Sequence, residues 1–317
     1  MDSMTGGPGL EKSDVLFVGG YGRSGSSLLD AMMSAKAGAF SGGEMASLFE
    51  WALGGKPCTC GVMVDVCPLW APILADLLVE MATSLTVLAD LTRGGRPTSE
   101  GDRQLLAAAW AFVFRELHRR HGVTRVIDSS KTSGRGSREQ VLLKVPNVRL
   151  VLFIHLYRRL AAVAFSRRRG NNYQLEAGVP GGSNLHMAKG VLGWVRANLN
   201  ATRFCRSQRE VCSIALAYEA FAADPELHVS RLIDLAGWKS PCPHAVTGSH
   251  AIAGNRMRRR PWDGAVSPDL AWTTELPRGW RIACHLIERA ARRLRIVPSP
   301  ESGGSTANWP YAEERLS

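Results

Sequence analysis

A short apolar run, Val15-Leu16-Phe17-Val18, stops at Gly19-Gly20, and apolar residues resume at helical spacing from Ser27 to Met33. β-Branched and aromatic residues in such a run predict a strand, and the later spacing predicts a helix. The connecting turn, Gly20-Tyr21-Gly22-Arg23-Ser24-Gly25-Ser26-Ser27, allows backbone N–H groups and the helix N-terminus to converge on an anion. The spacing of Gly20 and Gly25 matches the nucleotide-triphosphatase loop G-x-x-x-x-G-K-[ST], yet Ser26 stands where that loop needs lysine. A true NTPase is therefore not expected. Arg23 offers a planar donor fork, and Ser24, Ser26 and Ser27 offer hydroxyls at short range. The alternative is a glycine turn with no ligand.

The alternation continues along the chain. Residues 125–128 and 149–155 read as strands, the second near-continuously apolar, as a strand buried on both faces should be. A fourth strand is read at 211–216. Helical patterns cover 72–91, 104–121, 191–209 and roughly 226–237 and 279–295, and no internal repeat is visible. Strands alternating with helices predict an α/β fold, P-loop-like and doubly wound, with a mainly parallel central sheet flanked by helices. A chain of 317 residues with 45% hydrophobic content can bury one enlarged core. Residues 14–298 are expected to form that domain, with flexible tails at 1–13 and 299–317. The polar, glycine-rich segment 170–183 is expected to be a surface loop governing access.

Lys+Arg 39 against Asp+Glu 28 leaves a formal charge of +11, which favours anionic partners: nucleic acid, anionic lipid or phosphorylated small molecules. The start, MDSMTGGPGLEKSD, lacks a basic segment before an apolar run, and apolar stretches elsewhere are too short or too charged to span a bilayer. A cytoplasmic protein without a membrane span is expected. Seven cysteines over this length do not resemble a small disulfide framework.

GYGRSGSSLL resembles the 5'-phosphosulfate loop of sulfotransferases that use 3'-phosphoadenosine-5'-phosphosulfate (PAPS), of the bacterial and Golgi type, commonly G-R-[ST]-G-[ST]-[ST]-L. A second segment, IHLYRRLAAVAFSRRR, is similar to that family's 3'-phosphate segment, H-L-[VY]-R-D-P-R-A-V-A-x-S. His155, Leu156, Arg158, Ala162, Val163, Ala164 and Ser166 fall in register, while Arg159-Leu160-Ala161 replaces Asp-Pro-Arg. A third, SHAIAGNRMR, resembles the G-N-x-x-R segment that closes over the nucleotide. The resemblance implies a cytosolic sulfotransferase that moves a sulfonate from PAPS to a hydroxyl or amine and releases adenosine 3',5'-bisphosphate. Gly22, Arg23, Ser24, Gly25, Ser26 and Ser27 would hold the 5' end, Arg158 and Ser166 the 3'-phosphate, and Gly254, Asn255 and Arg258 would cover the nucleotide. No metal is expected.

Sulfonate transfer needs a base for the acceptor proton and stabilisation of the leaving phosphate. By resemblance, Glu44 in SGGEMASLFEW takes the first role and Lys131, closing the run Asp128-Ser129-Ser130-Lys131, faces the sulfonate. Read from the residues alone, Glu44 also suits a helix start and Lys131 a surface loop. His155, among apolar neighbours, reads as a buried strand residue. Cys58, Cys60 and Cys67 suggest a metal knuckle, but their spacing is poor for zinc. Similar C-x-C-G and C-x-x-W segments in this branch imply a structural cap, with a local disulfide left open.

Two other classes compete. A P-loop small-molecule kinase would need Ser26 to replace the lysine and Asp128 to serve magnesium. A basic nucleic-acid-binding protein would use the arginines at 256 and 258–260, although no helix-turn-helix, zinc-finger or RNA-binding signature accompanies them. The acceptor, whether small molecule, lipid or glycan, is not encoded in a recognisable pattern. Trp51, Trp70, Tyr173 and Trp194 suit either an apolar pocket or the core.

Overall fold

The computed structural model describes residues 12–93, 99–132, 138–170, 183–254, 266 and 269–297. Strands β1 (Ser13–Gly20), β2 (Phe40–Gly43), β3 (Arg125–Asp128), β4 (Val148–Tyr157) and β5 (Ser213–Ala217) form a five-stranded sheet. Its order is β2-β3-β1-β4-β5, and every pairing is parallel. The fold is therefore α/β with a parallel sheet between helical layers, as the sequence predicts.

Side chains explain why β1 is central. Successive residues on a strand point to opposite faces. Val15 and Phe17 join one core with Trp70, Trp110 and Phe153, while Leu16 and Val18 join the other with Leu29, Met33 and Trp238. All four β1 residues are fully buried, each contributing about 1.5–3 kcal/mol by leaving water.

Three expectations need correction. β2 is an additional strand, only four residues long with two glycines, so it lacks the β-branched signal that marks the others. The pattern at 72–91 is two helices, Trp70–Glu80 and Leu85–Arg93, bent by 101°. Ala82 has φ 45 at the break, and the Ser84 hydroxyl accepts from the Val87 N–H at 3.3 Å, restarting the helix. The helix expected from 104 begins at Glu100, where Ser99 and Asp102 form a reciprocal capping box. Among the described residues no single helix is long and apolar enough to cross a membrane, and the bent pair buries Trp70, Ile73, Leu74, Leu77, Leu88 and Ala89 in the core.

Candidate active site

In a parallel sheet of this kind, ligands bind beyond the carboxyl ends of the strands. Several sequence-predicted residues collect there: the glycine loop follows β1, Glu44 follows β2, Lys131 lies just past β3 and Arg158 just past β4. The fold thus brings to one edge groups separated by more than a hundred residues of chain.

The loop is shaped by two left-handed glycines. Gly20 has φ 101, and a Cβ there would lie 2.0 Å from the Leu156 carbonyl oxygen on β4. Gly25, with φ 86, caps the helix Ser26–Ala37, and a Cβ on it would meet the Tyr218 ring at 2.4 Å. Glycine is needed at both positions. Thr132 clamps the loop base: its hydroxyl accepts from the Gly20 N–H at 2.9 Å and donates to the Ala197 carbonyl at 2.8 Å.

Ser24, Ser26 and Ser27 are buried, so the loop is less open than a solvent-facing turn. The Ser24 Oγ is buried without a hydrogen-bond partner among the described residues. Arg23 turns outward from the loop to donate to the Gly170 carbonyl at 2.9 Å. Its position there ties the loop to the start of the glycine-rich segment.

Arg158 is 7% exposed. Its guanidinium donates to the carbonyls of Arg23 at 3.2 Å and Asp269 at 3.3 Å, and stacks 4.5 Å from the Tyr218 ring centroid. The Nε has no partner among the described residues. A cation beside the loop, an unpaired hydroxyl within it and a glycine cradle suit an anionic ligand. Trp194 donates from Nε1 to the Arg158 carbonyl at 2.9 Å, fixing the turn after β4. Ser166 lies within the helix Leu160–Arg168 and is half-buried.

Lys131, with φ 70, places its stem beside the loop: its Cδ lies 4.0 Å from where a Gly22 Cβ would be. Its ammonium is ion-paired with Glu44. The Glu44 N–H donates to the Ile252 carbonyl at 2.7 Å, and the Ile252 N–H returns a bond to the Gly42 carbonyl at 3.0 Å. Gly254 follows, with φ 94, while Asn255, Arg256, Arg258, Arg259 and Arg260 lie outside the described residues.

Asp128 sets the geometry before Lys131. It is fully buried; one oxygen accepts from the Ser130 N–H at 3.0 Å and from the Ser130 hydroxyl, and the other from Arg138 Nε at 2.8 Å. Arg138 in turn lies 3.6 Å over the Trp110 ring. Both carboxylate oxygens are thus engaged inside the protein by Ser130 and Arg138.

His155 is a core residue, fully buried, with Nε2 2.8 Å from Asn198 Oδ1. Asn198 donates its amide to the Trp194 carbonyl, so its oxygen accepts and the histidine hydrogen resides on Nε2. Burial lowers the His155 pKa to about 4. Trp70 and Trp194 are core, Trp51 is half-buried, and Tyr173 lies outside the described residues.

The cysteine segment gathers a further residue from far along the chain. All seven cysteines are free, and Cys60 and Cys67 Sγ atoms stand 3.7 Å apart, beyond bonding distance. His250, 183 residues after Cys67, joins Cys58, Cys60 and Cys67 within one cluster. Local spacing among the cysteines gives no sign of His250, which only the folded chain brings to them. Tyr218, Thr132 and His250 were likewise absent from the predicted site, since each follows a strand or loop whose partner lies far along the sequence.

The five-stranded parallel sheet and its flanking helices define an α/β protein with a P-loop-like fold. No family model and no curated protein matches the chain. Among solved structures the chain is similar to the sulfotransferase domain from the Synechococcus PCC 7002 olefin synthase, at 17% identity and TM-score 0.47, covering 91% of this chain and 98% of that one. It is also similar to the sulfotransferase domain from the curacin biosynthetic pathway, at 16% identity and TM-score 0.48, covering 92% and 100%. Sulfotransferase STF1 from Mycobacterium tuberculosis H37Rv matches at 13% identity and TM-score 0.36, covering 72% and 68%. At these values the likeness assigns no residue a role.

Proposed function

We propose that this protein is a sulfotransferase that uses PAPS as sulfonate donor and a hydroxyl- or amine-bearing acceptor. The observation that carries this reading is the convergence of the glycine loop, Arg158 and the Glu44–Lys131 pair on one sheet edge. From each of the three segments that resemble the family, one described residue lies near this edge: Gly25 after β1, Arg158 after β4, and Gly254 two residues past Ile252, which bonds Glu44.

In the proposed reaction Glu44 takes the acceptor proton, the acceptor atom bonds to sulfur, and the bond from sulfur to the 5'-phosphate oxygen breaks. The products are the sulfated acceptor and adenosine 3',5'-bisphosphate. Lys131 neutralises charge on the departing oxygen, and the loop N–H groups hold the 5'-phosphate. Arg158 and Ser166 select the 3'-phosphate, which distinguishes this donor from ATP. Lys131 is paired with Glu44 here; donor binding would draw the ammonium to the sulfonate and release the carboxylate for proton transfer.

Calorimetric titration with adenosine 3',5'-bisphosphate, AMP and Mg-ATP tests the reading. Tight binding of the bisphosphate alone supports it. Preference for Mg-ATP, with transfer of phosphate, would replace it with a kinase. Mass spectrometry for a gained sulfonate on candidate acceptors then identifies the acceptor class.

A further inference from the structure

The cysteine cluster lies outside the transfer site and no step of the reaction uses it. Pro57 and Met63 bridge as antiparallel partners, and between them Cys58 and Cys60 sit on a tight knuckle, where the Cys58 N–H bonds the Val62 carbonyl at 2.8 Å and Gly61 turns with φ 98. Cys67 lies just before the helix Trp70–Glu80.

His250 completes the group from the far end of the chain. Its Nδ1 is 3.2 Å from Cys67 Sγ and 4.0 Å from Cys58 Sγ, and all the potential ligand atoms lie within 4.8 Å of one another. A tetrahedral zinc ion with ordinary bond lengths separates sulfur from sulfur by about 3.8 Å and sulfur from nitrogen by about 3.6 Å. The two nitrogen–sulfur distances bracket the second value, and the 3.7 Å between the Cys60 and Cys67 sulfurs is close to the first. The orientation of the imidazole is also correct: Nε2 is 3.2 Å from the Thr247 carbonyl, so it carries the hydrogen and Nδ1 presents its lone pair. The indole of Trp70 donates to the His250 carbonyl at 2.7 Å, and the Thr59 and Ser249 hydroxyls bond at 2.9 Å. Three of the four residues are buried, with Cys60 toward solvent.

We infer that Cys58, Cys60, Cys67 and His250 bind one structural zinc ion. Three sulfur ligands and one imidazole nitrogen in tetrahedral reach suit zinc and leave no open position for a substrate. Binding converts three thiols to thiolates, releases their protons to solvent and leaves the histidine neutral. The ion would join the knuckle to the segment that lies beside β2, tying together residues 183 apart in the chain and stabilising the folded state that alone holds the site. This site stands whether or not the protein transfers sulfonate.

The full-length protein, purified under reducing conditions with zinc supplied, is measured by plasma mass spectrometry. About one zinc per chain, retained through gel filtration, is expected. Replacement by Co²⁺ should give the visible bands of a tetrahedral site together with a thiolate-to-cobalt charge-transfer band. Cys60→Ser, at the solvent-facing position, should weaken zinc at least about tenfold, and His250→Asn should remove the histidine contribution from the cobalt spectrum. Should either variant fail to fold, metal content and the cobalt spectrum of the unaltered protein still decide the matter. Zinc well below stoichiometric after reconstitution, an octahedral cobalt spectrum, or a Cys60–Cys67 disulfide found by mapping under the same conditions would each overturn the assignment.

Discussion

Glu44 and Lys131 form an ion pair across the ends of neighbouring strands, with Glu44 leaving β2 and Lys131 following β3. Their side chains retain 25% and 12% exposure, so the pair is partly open to solvent. Under the proposed function, an anionic donor that draws Lys131 away would leave Glu44 free to take a proton.

The first prediction follows from that coupling. Glu44→Gln is expected to keep affinity for adenosine 3',5'-bisphosphate within a few-fold while lowering turnover by about 10²- to 10⁴-fold. Steady-state kinetics beside calorimetry separate the two effects. Near-normal turnover would move the base elsewhere, with Glu50, held by Lys56 at 3.3 Å, tested next.

Arg158→Ala is expected to cost about 1.5–3 kcal/mol in binding of adenosine 3',5'-bisphosphate, the range for a charged hydrogen bond, and much less for AMP. Because Arg158 also holds the Arg23 and Asp269 carbonyls, melting temperature is recorded alongside. Equal weakening of both nucleotides would mean that the arginine only supports the loop.

Removing Asp128 tests the scaffold behind Lys131. Asp128→Ala leaves Arg138 buried with no carboxylate partner, which is expected to destabilise the fold by about 3–5 kcal/mol. Denaturant unfolding measures this, and a loss below about 1 kcal/mol would show that the Trp110 and Phe114 rings alone accommodate the guanidinium.

His155 predicts a pH dependence of stability. Its folded pKa, lowered to about 4, lies below the ordinary 6.5, so the unfolded chain binds more protons between those values. Stability therefore declines as pH falls from 6.5 toward 4, by about 3 kcal/mol from this one group. His155→Gln, whose amide can still donate to Asn198, should flatten that part of the profile. An unchanged slope would assign acid sensitivity to other groups.

Much of the sheet was legible because β1 and β4 are buried on both faces, and an unbroken apolar run of that length suits little besides a strand covered on both sides. The glycine loop was legible because Gly20 and Gly25 adopt backbone angles that other residues resist. β2 was not, since its four residues are held by pairing with β3 and contact with Ile252, and by no propensity of their own. The break after Glu80 was hidden because the apolar period continues across it; only Ser84 marks the restart. For the cysteines, sequence spacing exposed three partners but not His250, whose approach is a property of the folded chain. The roles of Glu44 and Lys131 came from resemblance, and their pairing could not be read from segments 87 residues apart.

The contact of Ile252 with Gly43 has a further consequence for how this protein behaves outside its folded state. β2 is a border strand, and a bare border offers a row of unpaired N–H and C=O groups to any other chain. Here the protein covers part of that border with its own later segment, through bonds from Ile252 to Gly42 and from Glu44 to Ile252. A fragment ending before residue 250 would lack this cover and present β2 to its neighbours. Partial proteolysis or premature termination in this region is thus expected to yield self-associating species, with the same bonds that hold Glu44 in place also guarding against aggregation.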